Sequence, residues 1–66
     1  MLEYFKTILA KVSFSKYLFE KELGKAIKIL VENELEELQR WCYRKFGHIY
    51  QAIIQKCFIS SGITPA

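Results

Sequence analysis

Apolar residues recur along this chain at three- and four-residue spacing, which is the signature of one face of an α-helix. Leu2, Phe5, Ile8, Leu9 and Val12 form the first such stripe, with Glu3, Lys6, Thr7 and Lys11 falling off it. A helix over Leu2–Lys11 is expected, and Glu3 sits where the helix dipole favours an anion. Val12, Ser13, Phe14 and Ser15 then break the pattern. Either serine can cap a second helix. With Ser15 as cap, Phe14 and Phe19 take the two positions of a hydrophobic staple, and with Ser13 as cap Val12 and Tyr17 would do the same; Ser15 is preferred. The second helix runs to about Leu30 and turns Phe19, Leu23, Ala26, Ile27 and Leu30 inward. Lys16 and Glu20 form an i,i+4 pair on its wet side.

Val31, Glu32 and Asn33 interrupt the pattern again. Asn33, with Glu36 three residues on, resembles a capping box. A third helix follows over 34–46, acidic at its start (Glu34, Glu36, Glu37) and basic at its end (Arg40, Arg44, Lys45), as the dipole asks. Leu35, Leu38, Trp41, Cys42 and Phe46 form its buried face. Gly47 is placed to end this helix in a left-handed conformation. A short fourth helix over 49–59 would present Ile49, Ile53 and Cys57 along one edge, with Tyr50, Ile54 and Phe58 beside them. The competing reading is one long helix over 34–59 that passes through Gly47, since an interior glycine is tolerable. Gly24 lies inside the second helix, either as surface variation or where another helix approaches closely. Residues 60–66 show no periodicity and read as a flexible tail.

The fold class that follows is all-α: a small bundle of three or four short antiparallel helices, with residues 1–59 as a single domain. Composition agrees. The 66 residues contain one proline, three glycines and no aspartate, so the chain has little of the punctuation that turns require. Hydrophobic residues make up 52% and aromatics 15%. One small core cannot hide them all, and small domains often gain stability by associating. The formal charge is +3, spread as +2 over residues 1–33 and +1 over 34–66, with no charged tail. No run approaches the roughly 18 apolar residues of a membrane span. The start lacks the basic and apolar regions of a secretory signal. A cytoplasmic location with reduced Cys42 and Cys57 is the expectation.

Chemistry-bearing residues are few. His48 is the sole histidine, and with Cys42 and Cys57 it makes three dispersed ligands where a zinc site needs about four in clusters. The residue three before His48 is lysine, so the helix-bundle Glu-x-x-His motif is missing. There is no phosphate-cradling glycine loop and no nucleophile elbow. Glu32, Glu34, Glu36 and Glu37 surround a helix start, where capping explains them. The expectation is therefore a protein that is not an enzyme and takes no cofactor or metal.

Two binding readings remain. The leading one is a protein–protein interaction module that self-associates, with a homodimer as the expected form. It rests on apolar residues in excess of one stripe per helix: Val12, Phe14, Tyr17, Ile29, Val31, Tyr43 and Ile54. Tyr17, Ile29 and Tyr43 are its candidate contact residues. The second is nucleic-acid binding through Arg40, Arg44, Lys45, His48, Gln51, Gln55 and Lys56. A helix-turn-helix built from helices two and three is rejected, because Glu34, Glu36 and Glu37 would face phosphates. A membrane-surface role for residues 1–12 has Lys6, Lys11, Tyr4 and Phe5 in its favour, but Glu3 and the short length oppose it.

The stretches Met1-Leu2-Glu3-Tyr4-Phe5-Lys6-Thr7-Ile8-Leu9 and Trp41-Cys42-Tyr43-Arg44-Lys45-Phe46-Gly47 resemble short, uncharacterised bacterial helical proteins of about this length. The resemblance spans most of the chain outside the tail. It implies a cytoplasmic bacterial protein and carries no activity or functional residues with it.

Overall fold

A computed structural model describes residues 1–60, and these form three helices: α1 (Leu2–Lys11), α2 (Lys16–Ile29) and α3 (Glu32–Ser60). Among the described residues there is no strand, and the arrangement is a small all-α bundle. The expected tail lies outside the described residues except for Ser60, which closes α3.

Local chemistry explains the boundaries. The carbonyl of Ile8 accepts the Val12 N–H at 3.0 Å, and Ser13 donates its hydroxyl to the Ala10 carbonyl at 2.9 Å, so α1 ends in satisfied groups. Ser15 is extended and accepts the Leu18 N–H on its side chain at 3.3 Å, which makes it the N-cap of α2 as expected. The staple does not form. Phe14 is 80% exposed while Phe19 is fully buried, because Phe19 is already enclosed by aromatic rings from α3. The Lys16–Glu20 pair gives way to one between helices, with Lys56 Nζ 2.9 Å from a Glu20 carboxylate oxygen.

Helix α3 starts at Glu32, two residues before the expected start at Glu34. Val31 gives its carbonyl to Leu35 N–H at 2.9 Å, and its own N–H donates to the Glu34 carboxylate at 3.3 Å. Glu34 thus performs the reach-back half of a capping box from the N3 position, and Asn33 lies inside the helix.

Gly47 does not end a helix. The break comes at Tyr50, whose φ of −121° and ψ of 26° are not helical. A straight helix of 29 residues would be about 43 Å long, whereas the longest dimension of the molecule is 26 Å. Helix α3 is therefore two arms joined at Tyr50. The first arm packs Phe46 against Phe19, and the second lies beside α2. Tyr50 is the anchor of the bend. Its ring lies 4.7 Å from that of Phe19, and its hydroxyl donates to the Ser13 carbonyl in the α1–α2 turn at 2.6 Å.

The core draws on all three helices: Phe5 and Leu9; Phe19, Leu23, Ala26 and Leu30; Leu35, Leu38, Cys42, Phe46, Tyr50, Ile53, Ile54 and Phe58. No charged side chain is buried among the described residues. Lys6 ties α1 to α3, with Nζ 3.1 Å from Glu37, 3.5 Å from Glu3 and 5.9 Å from the Trp41 ring centre. Two residues of the expected fourth helix exchange roles. Ile49 is exposed, and Ile54 is fully buried, because the buried row Leu38, Cys42, Phe46, Tyr50, Ile54 and Phe58 continues at four-residue spacing through the bend and leaves Ile49 beside it.

Gly24 is not a close-approach residue. A Cβ built there meets no atom within 4 Å. Gly24→Ala should therefore raise stability by up to about 1 kcal/mol, since it removes backbone freedom from the unfolded chain and clashes with nothing. A higher urea midpoint checks this, and a lower one would show that the site is more crowded than its geometry.

Candidate functional site

A recess outside the core runs between α2 and the second arm of α3. It is a shallow groove of about 340 Å³ lined by Glu20, Gly24, Ile27, Lys28, Lys56, Cys57 and Ser60. A second depression, bordered by Tyr17, Lys21 and Lys25, continues it over the outer face of α2. Gly24 belongs to both, and its missing side chain helps to open the surface there.

This face carries the charge of the molecule. Helix α2 holds Lys16, Lys21, Lys25 and Lys28 against Glu20 and Glu22, and Lys56 brings the total to +3. The other five basic and five acidic side chains cancel. The even division between sequence halves thus conceals a localised excess. Lys56 is paired with Glu20, and Lys25 with Glu22 at 3.4 Å. Lys21 and Lys28 hold no ion pair among the described residues, and neither do Glu32 and Glu36 at the start of α3.

The two thiols are free. Burial pushes the Cys42 thiol up to about 12, with the nearby Cys57 adding to the rise and Lys6 opposing it. Cys57 is also raised, first by burial and then by Glu20. A raised thiol stays protonated and is a poor nucleophile at neutral pH. Folding holds the Cys42 proton more tightly than the open chain does. Its contribution to stability is therefore intact below the unfolded thiol pKa of about 8.5 and declines as pH climbs toward about 12. Urea midpoints measured from about pH 8 to about pH 11 should fall, and fall less steeply in Cys42→Ala. Parallel slopes in the two proteins would contradict this assignment.

The structure separates the candidate contact residues. Tyr17 (72% exposed) stands on the first turn of α2 and Ile29 (55%) on its last, about 18 Å apart along the helix. Tyr43 is half-buried and packs against the core, so it offers less surface than its type promised. Of the other surplus apolar residues, Phe14 and Val31 are exposed, Val12 is half-buried and Ile54 belongs to the core. Sequence reasoning missed Met1, Tyr4, Ile49 and Ile59 as exposed apolar residues, having assigned Ile49 to a buried edge.

Arg40, Arg44, Lys45, His48, Gln51, Gln55 and Lys56 are all exposed. The bend at Tyr50 divides them. Arg40, Arg44 and His48 share one i,i+4,i+8 row on the first arm, while Gln51, Gln55 and Lys56 lie on the second, where Glu20 holds Lys56. Among the described residues, no group of three or more His, Cys, Asp or Glu side chains is placed to hold a metal ion, and no helix is long and apolar enough to cross a membrane. Comparison with known protein families, with curated proteins and with solved structures gives no match.

Proposed function

We propose that this chain is a non-enzymatic protein–protein interaction module that self-associates as a homodimer in a reducing, cytoplasmic compartment. The observation that carries the reading is the set of large apolar side chains left in solvent by a bundle whose core is already closed: Phe14, Tyr17, Ile29 and Val31 above all. Adjacent exposed apolar side chains, as at Ile29 and Val31, are the kind of surface that a partner covers. The thiols support the reading in that burial keeps both protonated, which leaves them as packing groups.

Light scattering over a range of concentrations tests the proposal. The apparent mass should climb toward two chains, and Ile29→Ser should move the transition to higher concentration. A strict monomer that also captures no cellular protein would contradict it.

The exposed row Arg40, Arg44 and His48 favours one further reading, nucleic-acid binding. A gel shift at low salt that weakens with added salt and with Arg44→Glu would support it. The absence of any shift at low salt would end it.

A further inference from the structure

We infer that the homodimer is built on the α2–α3 junction, Lys28-Ile29-Leu30-Val31-Glu32, with a second copy of this chain as the occupant; this rests on the self-association proposed above. The junction has a polarity that complements itself. Leu30 points into the core, while Ile29 and Val31 remain 55% and 59% exposed on either side of it. This apolar centre is flanked by Lys28 on one side and Glu32 on the other, and neither is paired among the described residues. The neighbouring charges repeat the sense: Lys21 lies before Lys28, and Glu36 after Glu32.

A two-fold axis through the centre of this strip runs the second copy in the opposite direction. Ile29 and Val31 of one protomer then cover Val31 and Ile29 of its partner, and each Lys28 meets a Glu32 across the axis. One surface thereby satisfies itself twice, which is the requirement of an isologous contact. The junction is also well fixed for this purpose. Leu30 is bonded through its N–H to the Ala26 carbonyl at 2.9 Å, and the Val31 N–H to Glu34, so little backbone freedom remains to be lost on docking. An external polyanion is the weaker fit, because it would meet Glu20 and Glu22 among the lysines and would leave Ile29 and Val31 uncovered.

Charge exchange tests the inference in the full chain. Lys28→Glu places two like-charge pairs in the dimer, and so does Glu32→Lys. Each variant alone should associate about tenfold more weakly than the unaltered protein by sedimentation equilibrium. An equimolar mixture of the two should recover association as a 1:1 heterodimer, because both cross-axis pairs are again opposite in sign. Recovery also shows that both variants are folded, and far-UV circular dichroism of each checks this independently. Lys45→Glu, which makes the same change in net charge as Lys28→Glu about 20 Å along α3 from Glu32, should leave association unchanged. If the protein self-associates but the two junction variants behave as Lys45→Glu does, the inference falls and the broader proposal stands. If the unaltered protein is monomeric throughout, both fall.

Discussion

Replacing Phe19 by alanine should remove about 3–5 kcal/mol of stability and sharply lower the urea midpoint. Phe19 is fully buried where α2 meets the first arm of α3 and its bend at Tyr50. Its ring stands edge-on to Phe46 at 5.2 Å and is tilted over Tyr50 at 4.7 Å. Phe→Ala in such a position costs about 3–5 kcal/mol, which combines lost transfer energy with the cavity left behind. A domain of this size has a total stability of only about 3–10 kcal/mol, so one cavity removes a large share of it. Loss of far-UV circular dichroism, or a collapsed urea midpoint, is the readout. Phe14→Ala is the matched control. Phe14 lies five residues away and is nearly all in solvent, so its loss should cost no more than about 0.5 kcal/mol. Similar effects of the two substitutions would contradict the assignment of Phe19 to the core.

Tyr50→Ala should be nearly as damaging, at about 3–5 kcal/mol, and Tyr50→Phe separates its two contributions. The phenylalanine keeps the stack on Phe19 and loses only the hydroxyl that donates to the Ser13 carbonyl at 2.6 Å. That loss should cost about 1–2 kcal/mol, because a partly buried carbonyl is left without its partner. The two halves of α3 should respond differently. Amide exchange should accelerate over 51–60, where the second arm depends on the Tyr50 anchor, and should change little over 35–46. Uniform acceleration along α3 would mean that the hydroxyl supports global stability and does not seat the arm.

The helices were legible because their signals are local. The stripes of Phe5 and Leu9, of Phe19, Leu23, Ala26 and Leu30, and of Leu35, Leu38, Cys42 and Phe46 obey helical spacing and are buried. Ser15 has a cap's chemistry and acts as one. What was misread depends on partners distant in sequence. Gly47 carries a local stop signal, yet the break falls at Tyr50, which is fixed by Ser13 thirty-seven positions away and by Phe19. Ending the third helix at Gly47 breaks the four-residue row that runs from Leu38 through Cys42, Phe46 and Tyr50 to Ile54 and Phe58, and with the row broken Ile49 and Ile54 take each other's environments. Glu20 met the same difficulty, because an i,i+4 partner is visible in sequence and Lys56 is not.

The candidate surface was partly legible. Tyr17 and Ile29 were selected as apolar residues off the main stripe, and both are exposed. The gathering of the net charge around α2 is hidden in the sequence, because Lys56, which the fold brings to Glu20 beside the α2 lysines, is counted in the other half of the chain. The junction escaped notice for a related reason. Val31 and Glu32 read as a loop between helices, and only the fold leaves Ile29, Val31 and the two flanking charges in solvent with Leu30 turned inward.

The most direct test of the account is nuclear magnetic resonance on an equal mixture of isotope-labelled and unlabelled chains, filtered for contacts between molecules. It should give intermolecular Overhauser effects from the methyl groups of Ile29 to those of Val31, strengthening with concentration. No intermolecular effect at any concentration, together with relaxation rates of a single chain throughout, would contradict it.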